Sequence, residues 1–116
     1  MPFVGTSPIV ESGSNANGSY VKFADGTMIC HGKTADATTS NAAGAVFYNG
    51  SGFTVTFPVA FYAAPTVFAS AESSAGIVIG ARITSVGTAG AMLFLIGSIA
   101  TNSGHLTWIG IGRWKA

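Results

Sequence analysis

The sequence predicts an all-β domain, an antiparallel β-sandwich of about six to eight short strands. Sixteen glycines and the absence of a 3.6-residue apolar period oppose long helices. Short apolar runs alternate with turn residues, and 48% hydrophobic residues in 116 are enough for one core. We expect residues 19–116 to form the sandwich. Residues 1–18 are polar and aperiodic, which predicts a flexible leader or linker arm.

The first predicted element is a β-hairpin. Two short runs, residues 19–23 and 27–31, flank Asp25-Gly26, a pair that supplies the positive φ angles of a type I′ turn. Cys30 and His31 are adjacent on the second strand, so their side chains should point to opposite faces and not share a metal ion. Residues 33–44 are small and polar and predict a loop.

The middle of the chain predicts a second group of short strands. Residues 45–48 lead into the turn pair Asn49-Gly50. Residues 53–57 alternate strictly between apolar and polar, which predicts a half-buried strand that Pro58 ends. The next strand begins at Pro65, and residues 77–84 alternate again.

The last two predicted strands raise the question of subunit contacts. Met92–Ile96 is apolar on both faces, so its second face is covered either within the domain or by another subunit that contacts Leu93 and Leu95. The final strand, residues 106–114, places Ile109 and Ile111 on one face. Trp108 lies on the other face, as a core residue or a subunit contact. Trp114 is either a terminal anchor or an exposed stacking residue.

The charge of the chain excludes several function classes. Charged residues make up 8% of the sequence, against about 25% in typical proteins, and the net charge is +1. Nucleic acid and anionic membrane surfaces bind clusters of Lys and Arg, which this sequence lacks. The longest apolar stretch, residues 89–100, is too short to span a bilayer. The first residues lack the features of a secretory signal, which predicts synthesis in a cytoplasm without that export route.

Catalytic and metal sites are not expected either. The carboxylates are far apart in sequence, and Asp36 with Glu72 is the one pair that could serve a glycosidase, which needs two within roughly 10 Å. A single cysteine excludes an internal disulfide framework. We therefore expect no enzyme, no metal and no cofactor.

Three sequence blocks resemble the C-terminal tip domains of bacteriophage tail fibres. The first is Lys22-Phe23-Ala24-Asp25-Gly26-Thr27 within residues 20–32. The second comprises Phe53-Thr54-Val55-Thr56-Phe57-Pro58-Val59-Ala60-Phe61 and Pro65-Thr66-Val67, and the third is Trp108-Ile109-Gly110-Ile111-Gly112-Arg113. They occur in the order of that family and span residues 20–113. The second and third blocks are also similar to H-type lectins, which are trimeric sugar-binding sandwiches.

The resemblance implies a receptor-binding tip. Such a domain is a homotrimer about the fibre axis, is joined to the rest of the tail fibre and contacts a glycan or protein of the host cell surface. It would be assembled in the host cytoplasm and work at the tip of the virion's tail fibre. A free-standing lectin-like module that binds sugars and a structural virion decoration protein are the alternatives that the sequence leaves open.

Candidate binding residues lie in loops, because strand interiors are committed to packing. Residues 33–44, 48–52 and 100–105 are rich in small polar side chains. Arg82 is a charge in an apolar strand pair, which needs a partner such as Glu72 or a ligand. The candidates combine an aromatic face with hydrogen-bonding groups, and Tyr48 and Asn49 are expected to be exposed at their turn. The full set is Tyr48, Asn49, Thr101, Asn102, Ser103, His105, Arg82 and Arg113.

Overall fold

The chain folds into two antiparallel β-sheets, as the sequence predicts. The computed structural model describes residues 3–4, 7–50, 52–75, 78–97 and 102–116. Within these ranges there is no helix, and hence none that could cross a membrane. The strands in these ranges are β1 (Phe3–Val4), β2 (Ser7–Asn15), β3 (Gly18–Phe23), β4 (Thr27–Lys33), β5 (Ala37–Thr39), β6 (Asn41–Ala43), β7 (Val46–Tyr48), β8 (Phe53–Thr56), β9 (Thr66–Ala75), β10 (Val78–Thr84), β11 (Gly90–Gly97) and β12 (Asn102–Arg113).

The larger sheet is organised around the long last strand. Strands β1 to β4 follow each other, and β4 pairs with β12. On the same side of β12, β5 continues where β4 ends, and β9 pairs with its other side. The connection between β4 and β5 stays on β12, because Thr34 N–H donates to Leu106 O at 2.8 Å and Leu106 N–H donates to Thr34 Oγ1 at 2.9 Å.

The smaller sheet is organised around β11. Strand β10 pairs with one side of β11, while β7 and β8 pair with different parts of its other side. Strand β6 pairs with β7 at the edge.

The core lies between the two sheets, where alternate side chains of the central strands meet. Leu93 and Leu95 of β11 and Leu106 of β12 are fully buried. The Trp108 ring packs on Phe57 with 5.6 Å between ring centroids. Met28, Cys30 and Phe61 complete the centre of the cluster. Because burial raises the pKa of the Cys30 thiol to about 11, this group stays neutral at physiological pH.

The structure confirms the alternation that the sequence predicts. Residues 53–57 alternate between exposed and buried, and β8 covers the first four of them. Cys30 is buried and its neighbour His31 is exposed, so the two point to opposite faces. Trp108 is buried and Ile109 is exposed, which assigns Trp108 to the core. Trp114 is anchored, since its Nε1–H donates to Phe23 O at 2.8 Å.

Two segments predicted to be irregular form strands. The prediction of a flexible arm over residues 1–18 is wrong for Ser7–Asn15, because this segment is β2 and pairs with β3. Its residues from Glu11 onward are polar or glycine, but the Tyr20 hydroxyl donates to Glu11, and Lys22 Nζ lies 3.5 Å from a Glu11 oxygen. The Tyr20 hydrogen bond and the Lys22 charge hold the pKa of Glu11 below its ordinary value. The prediction of a loop over residues 33–44 is also wrong in part, because this segment contains β5 and β6.

The hairpin at Asp25-Gly26 forms with a different turn. A type I′ turn needs a positive φ at both central residues. Gly26 has a φ of 101°, but among the described non-glycine residues only Ser85 has a positive φ, so Asp25 does not adopt this geometry. Asp25 instead accepts the Thr27 N–H on its carboxylate at 2.9 Å.

The two faces of β11 have different surroundings. Of the two alternatives for this strand, contact of Leu93 and Leu95 with another subunit is wrong, because both side chains face the opposing sheet and have no exposed surface. Met92, Phe94 and Ile96 lie on the other face and are half-buried. On that face Phe94 packs against the Tyr48 ring of β7, so a neighbouring side chain of the same sheet covers it in part.

Candidate functional site

Three polar segments that are distant in sequence adjoin one another. Ser40 N–H donates to Tyr48 O at 3.1 Å, which joins residues 33–44 to the turn after β7. Ser103 and Gly104 of β12 pair with Thr38 and Ala37 of β5. The candidate Thr101 and the side chain of the candidate Asn102 lie outside the described residues. Ser103 is exposed. The described parts of the three segments therefore form one continuous polar region.

An aromatic and cationic cluster lies on the outer face of the smaller sheet. The Tyr48 ring packs edge-on against Phe94, with 5.8 Å between centroids and an interplanar angle of 72°. The Arg82 guanidinium carbon lies 5.4 Å from the Phe94 ring centroid. Arg82 is exposed, and both rings are half-buried. Two predicted residues, from β7 and β10, thus meet on a third residue of β11.

Phe94 is the member of this cluster that the sequence analysis missed. Phe94 belongs to the Met92–Ile96 run. Because successive side chains of a strand point to opposite faces, its position between Leu93 and Leu95 indicates that it lies on the other face of the sheet. The expected pairing of Arg82 with Glu72 is wrong. Glu72 lies on the larger sheet, where its Oε1 accepts the Thr107 hydroxyl at 2.8 Å.

The expected exposure of Asn49 is wrong. Its side chain is 6% exposed, and its Oδ1 accepts the Leu95 N–H at 2.6 Å. The amide thereby satisfies a buried backbone donor of β11 and fixes the turn after β7 to the smaller sheet. Tyr48 is half-buried, so its exposure is partial.

His105 lies between two carboxylates that the sequence analysis could not place together. Its Nδ1 is 3.2 Å from Asp36 Oδ1, and its Nε2 is 3.7 Å from Glu72 Oε1. The reason is topological: Glu72 of β9 is opposite His105 in the register, and Asp36 precedes β5 on the other side of β12. The imidazole occupies the space between the two acids.

The arrangement of Asp36 and Glu72 around His105 favours a structural contact over proton transfer. The Thr107 hydroxyl, then the charges of His105 and Lys33, hold the pKa of Glu72 below its ordinary value. A glycosidase general acid needs the opposite shift, and an inverting pair needs room for a water between the two carboxyl groups. Among the described residues, no group of three His, Cys, Asp or Glu side chains is placed to hold a metal ion.

Arg113 lies far from the other candidates. It ends β12, about 35 Å along the strand from Asn102 at the usual rise per residue. Its Nη2 donates to Asp25 O at 2.8 Å and lies against Gly26. Arg113 thus holds the β3–β4 turn to the last strand.

A groove opens beside the polar region, along the edge of β8 that faces away from β11. Its volume is about 340 Å³, and Trp108 contributes to its lining. Lys33 and Thr34 line one wall, and Phe53 and Thr54 line the other. The groove offers an ammonium group, hydroxyls and an aromatic ring to a small ligand.

Comparison with known proteins identifies solved structures with a similar fold. No protein-family model and no curated protein matches the chain. The structure is similar to the C-terminal fragment of the P. aeruginosa R1 pyocin fibre, with a TM-score of 0.62, 19% identity, and coverage of 90% of this chain and 28% of that chain. An N-truncated R1-type pyocin tail fibre gives a TM-score of 0.62 and 19% identity, covering 90% of this chain and 87% of that one.

A tailspike is also similar in structure. The tailspike protein gp49 of Pseudomonas phage LKA1 has a TM-score of 0.52 and 26% identity, with coverage of 74% of this chain and 15% of that chain. This chain therefore spans a small part of the tailspike and about a quarter of the longer pyocin fibre fragment. The chain has the fold of a tail-fibre C-terminal domain.

Proposed function

We propose that this chain is the receptor-binding tip of a phage-type tail fibre, which adsorbs to a glycan or protein of a bacterial surface without cleaving it. The observation that carries the proposal is the fold likeness to pyocin tail fibres over 90% of the chain. The three sequence blocks that resemble phage fibre tips support the same function independently of the fold.

The receptor contact that we propose is the cluster of Tyr48, Phe94 and Arg82. Aromatic rings pack against the apolar C–H faces of sugars and against protein side chains alike. A guanidinium group provides five N–H donors in a fixed plane, which suits hydroxyl and carboxylate groups. The cluster lies on three neighbouring strands, so it is held in place by the sheet and costs little ordering on binding.

The arrangement of the acids supports binding without catalysis. The Asp36 and Glu72 carboxylates are separated by the His105 ring, and Glu72 is held in its ionised form. These two side chains are better explained as contacts that join β5, β9 and β12.

The proposal includes a homotrimer at the virion's fibre tip, assembled in the host cytoplasm. Three copies at each tip, and several fibres on each particle, would multiply a weak single contact into strong adsorption. The rest of the fibre is then the second partner of this chain, besides the host receptor.

The site is tested by comparing three alanine variants in adsorption to a bacterial strain that binds the parent. Tyr48→Ala and Arg82→Ala should each weaken adsorption at least about tenfold, because each removes one of the few groups that dominate an interface. Tyr62→Ala is the matched control, since Tyr62 is 63% exposed and lies next to the far end of β12.

Circular dichroism establishes that each variant is folded before adsorption is measured. Equal binding by the parent, Tyr48→Ala and Arg82→Ala would exclude the cluster as the receptor contact. Loss of adsorption in Tyr62→Ala alone would move the contact to the opposite end of the domain.

A further inference from the structure

The outer face of the larger sheet carries exposed apolar side chains in register. Phe68 of β9 is 57% exposed, and Ile109 and Ile111 of β12 are 37% and 40% exposed. Phe68 and Ile109 are directly opposite each other in the β9–β12 pairing. Large apolar groups clustered in this way on a sheet mark a surface that is normally covered.

The apolar surface extends over four adjacent strands. Ile111 is opposite Ile29 of β4, and Ile29 is opposite Val21 of β3. Ile29 and Val21 are half-buried and belong to the same face as Ile111 by the alternation of each strand. Three of these strands, β3, β4 and β12, thus present one row of branched aliphatic side chains next to Phe68 and Ile109.

A groove of about 530 Å³ lies next to the exposed ring. It is lined by His31, Ser70 and Thr107 as well as by Phe68 and Ile109 themselves. The same face therefore has both a protruding aromatic side chain and a recess of suitable size for one. A surface that carries a projection and a matching recess is complementary to a rotated copy of itself.

Apart from His31, which is opposite Ile109 and lines the groove, the titratable side chains described on this face lie at its two ends, and each end has both signs. At one end Asp36 and Glu72 flank His105, and the charge of Lys33 is close enough to lower the pKa of Glu72. At the other end Arg113 is held against the Asp25 turn. A largely apolar centre with a charged rim is the usual anatomy of a protein interface. Because both signs occur at each end, copies aligned side by side can bring opposite charges together.

We propose that this face, centred on Phe68, Ile109 and Ile111, is where copies of this chain pack against one another, with Phe68 of one copy in the groove of the next. The proposal rests on the homotrimer included in the proposed function and assigns its interface. It places the copies around an axis that runs along the strands of the larger sheet. The smaller sheet then faces outward, and the cluster of Tyr48, Phe94 and Arg82 stays accessible to a receptor.

The first test measures the mass of the assembly. By sedimentation equilibrium at micromolar concentration, the parent should have three times the chain mass of 11.7 kDa. Phe68→Asp and Ile109→Asp should each sediment as a single chain, because either change buries an unpaired carboxylate at the centre of the interface. Tyr62→Asp is the matched control and should keep the mass of the parent. Phe68 and Ile109 are exposed in a single chain, so the Phe68→Asp and Ile109→Asp variants should fold normally.

The second test asks whether the face itself is at the contact. The single native cysteine, Cys30, is fully buried, so a surface cysteine is the thiol that reacts. Phe68→Cys and Ile109→Cys chains that are mixed before assembly should give covalent dimers in high yield under mild oxidation, because the proposal seats position 68 of one copy against position 109 of the next. Tyr62→Cys should give only the background level. The cross-link is read on a denaturing gel without reductant and needs no receptor.

The outcomes separate the interface from the proposed function. A parent trimer in which Phe68→Asp and Ile109→Asp remain trimeric, with no cross-link between positions 68 and 109, would overturn the assignment of this face. A parent that is monomeric at micromolar concentration would overturn it as well, together with the homotrimer. Adsorption of the parent to cells is measured independently, so either result leaves the receptor-binding proposal to its own test.

Discussion

Replacing Leu95 by Asp should leave the chain unfolded at room temperature. Leu95 has no exposed surface, and its N–H is bonded to the Asn49 side chain in the centre of the smaller sheet. Truncating a buried leucine to alanine costs about 2–5 kcal/mol, and an unpaired buried carboxylate adds several more. A domain of this size is stable by about 5–15 kcal/mol, so the sum removes most or all of its stability.

Far-UV circular dichroism and a thermal melt measure this effect. Leu95→Ala should remain folded with a lower melting temperature. Thr54→Asp is the control, because Thr54 is exposed on the neighbouring strand β8, and it should cost less than about 1 kcal/mol. A Leu95→Asp protein that is folded and monomeric would show that Leu95 lies at a subunit contact and not in the core.

Replacing Trp108 by Ala should destabilise the domain by about 3–5 kcal/mol, the usual cost of removing a large buried aromatic side chain. Trp108 is 2% exposed and packs against Phe57, which in turn packs edge-on against Phe61 at 5.1 Å. Its loss opens a cavity between the two sheets. The indole is packed tightly, because a Cβ at Gly32 would be only 3.0 Å from it.

Urea unfolding at one fixed protein concentration measures the loss, since assembly makes stability depend on concentration. The midpoint for Trp108→Ala should fall by roughly 2 M. Trp114→Ala is the comparison, because Trp114 is only half-buried and makes one side-chain hydrogen bond to Phe23 O. It should cost about 1–2 kcal/mol. If the two variants unfold at the same midpoint, Trp108 is not the centre of the core.

The strands that pack against the core were predictable, because burial imposes a period of two on their residues. Residues 53–57 and 106–114 show this alternation in the sequence and in the structure. Ser7–Asn15 does not, since its side chains from residue 11 onward are exposed on both faces. A strand that buries neither face has no apolar period, so its pairing with β3 could not be read from composition.

The arrangement of the candidate site depends on pairings between distant residues. Asp36 and Glu72 approach each other because β5 and β9 flank β12, and no sequence spacing encodes that register. Asn49 was predicted to be exposed because turn residues usually are. The structure uses its amide to satisfy the Leu95 N–H, a need that becomes visible only when β11 is in place. Phe94 was hidden in an apolar run whose alternate members face opposite ways.

Adsorption of the labelled parent protein to bacterial cells tests the receptor-binding account most directly. The protein is incubated with a panel of strains, and the bound amount is measured against protein concentration, with and without surface polysaccharide purified from a binding strain. The account predicts saturable binding to some strains and little to others, with no shortening of the added polysaccharide. Absence of binding to every strain, or equal and unsaturable binding to all of them, would contradict it.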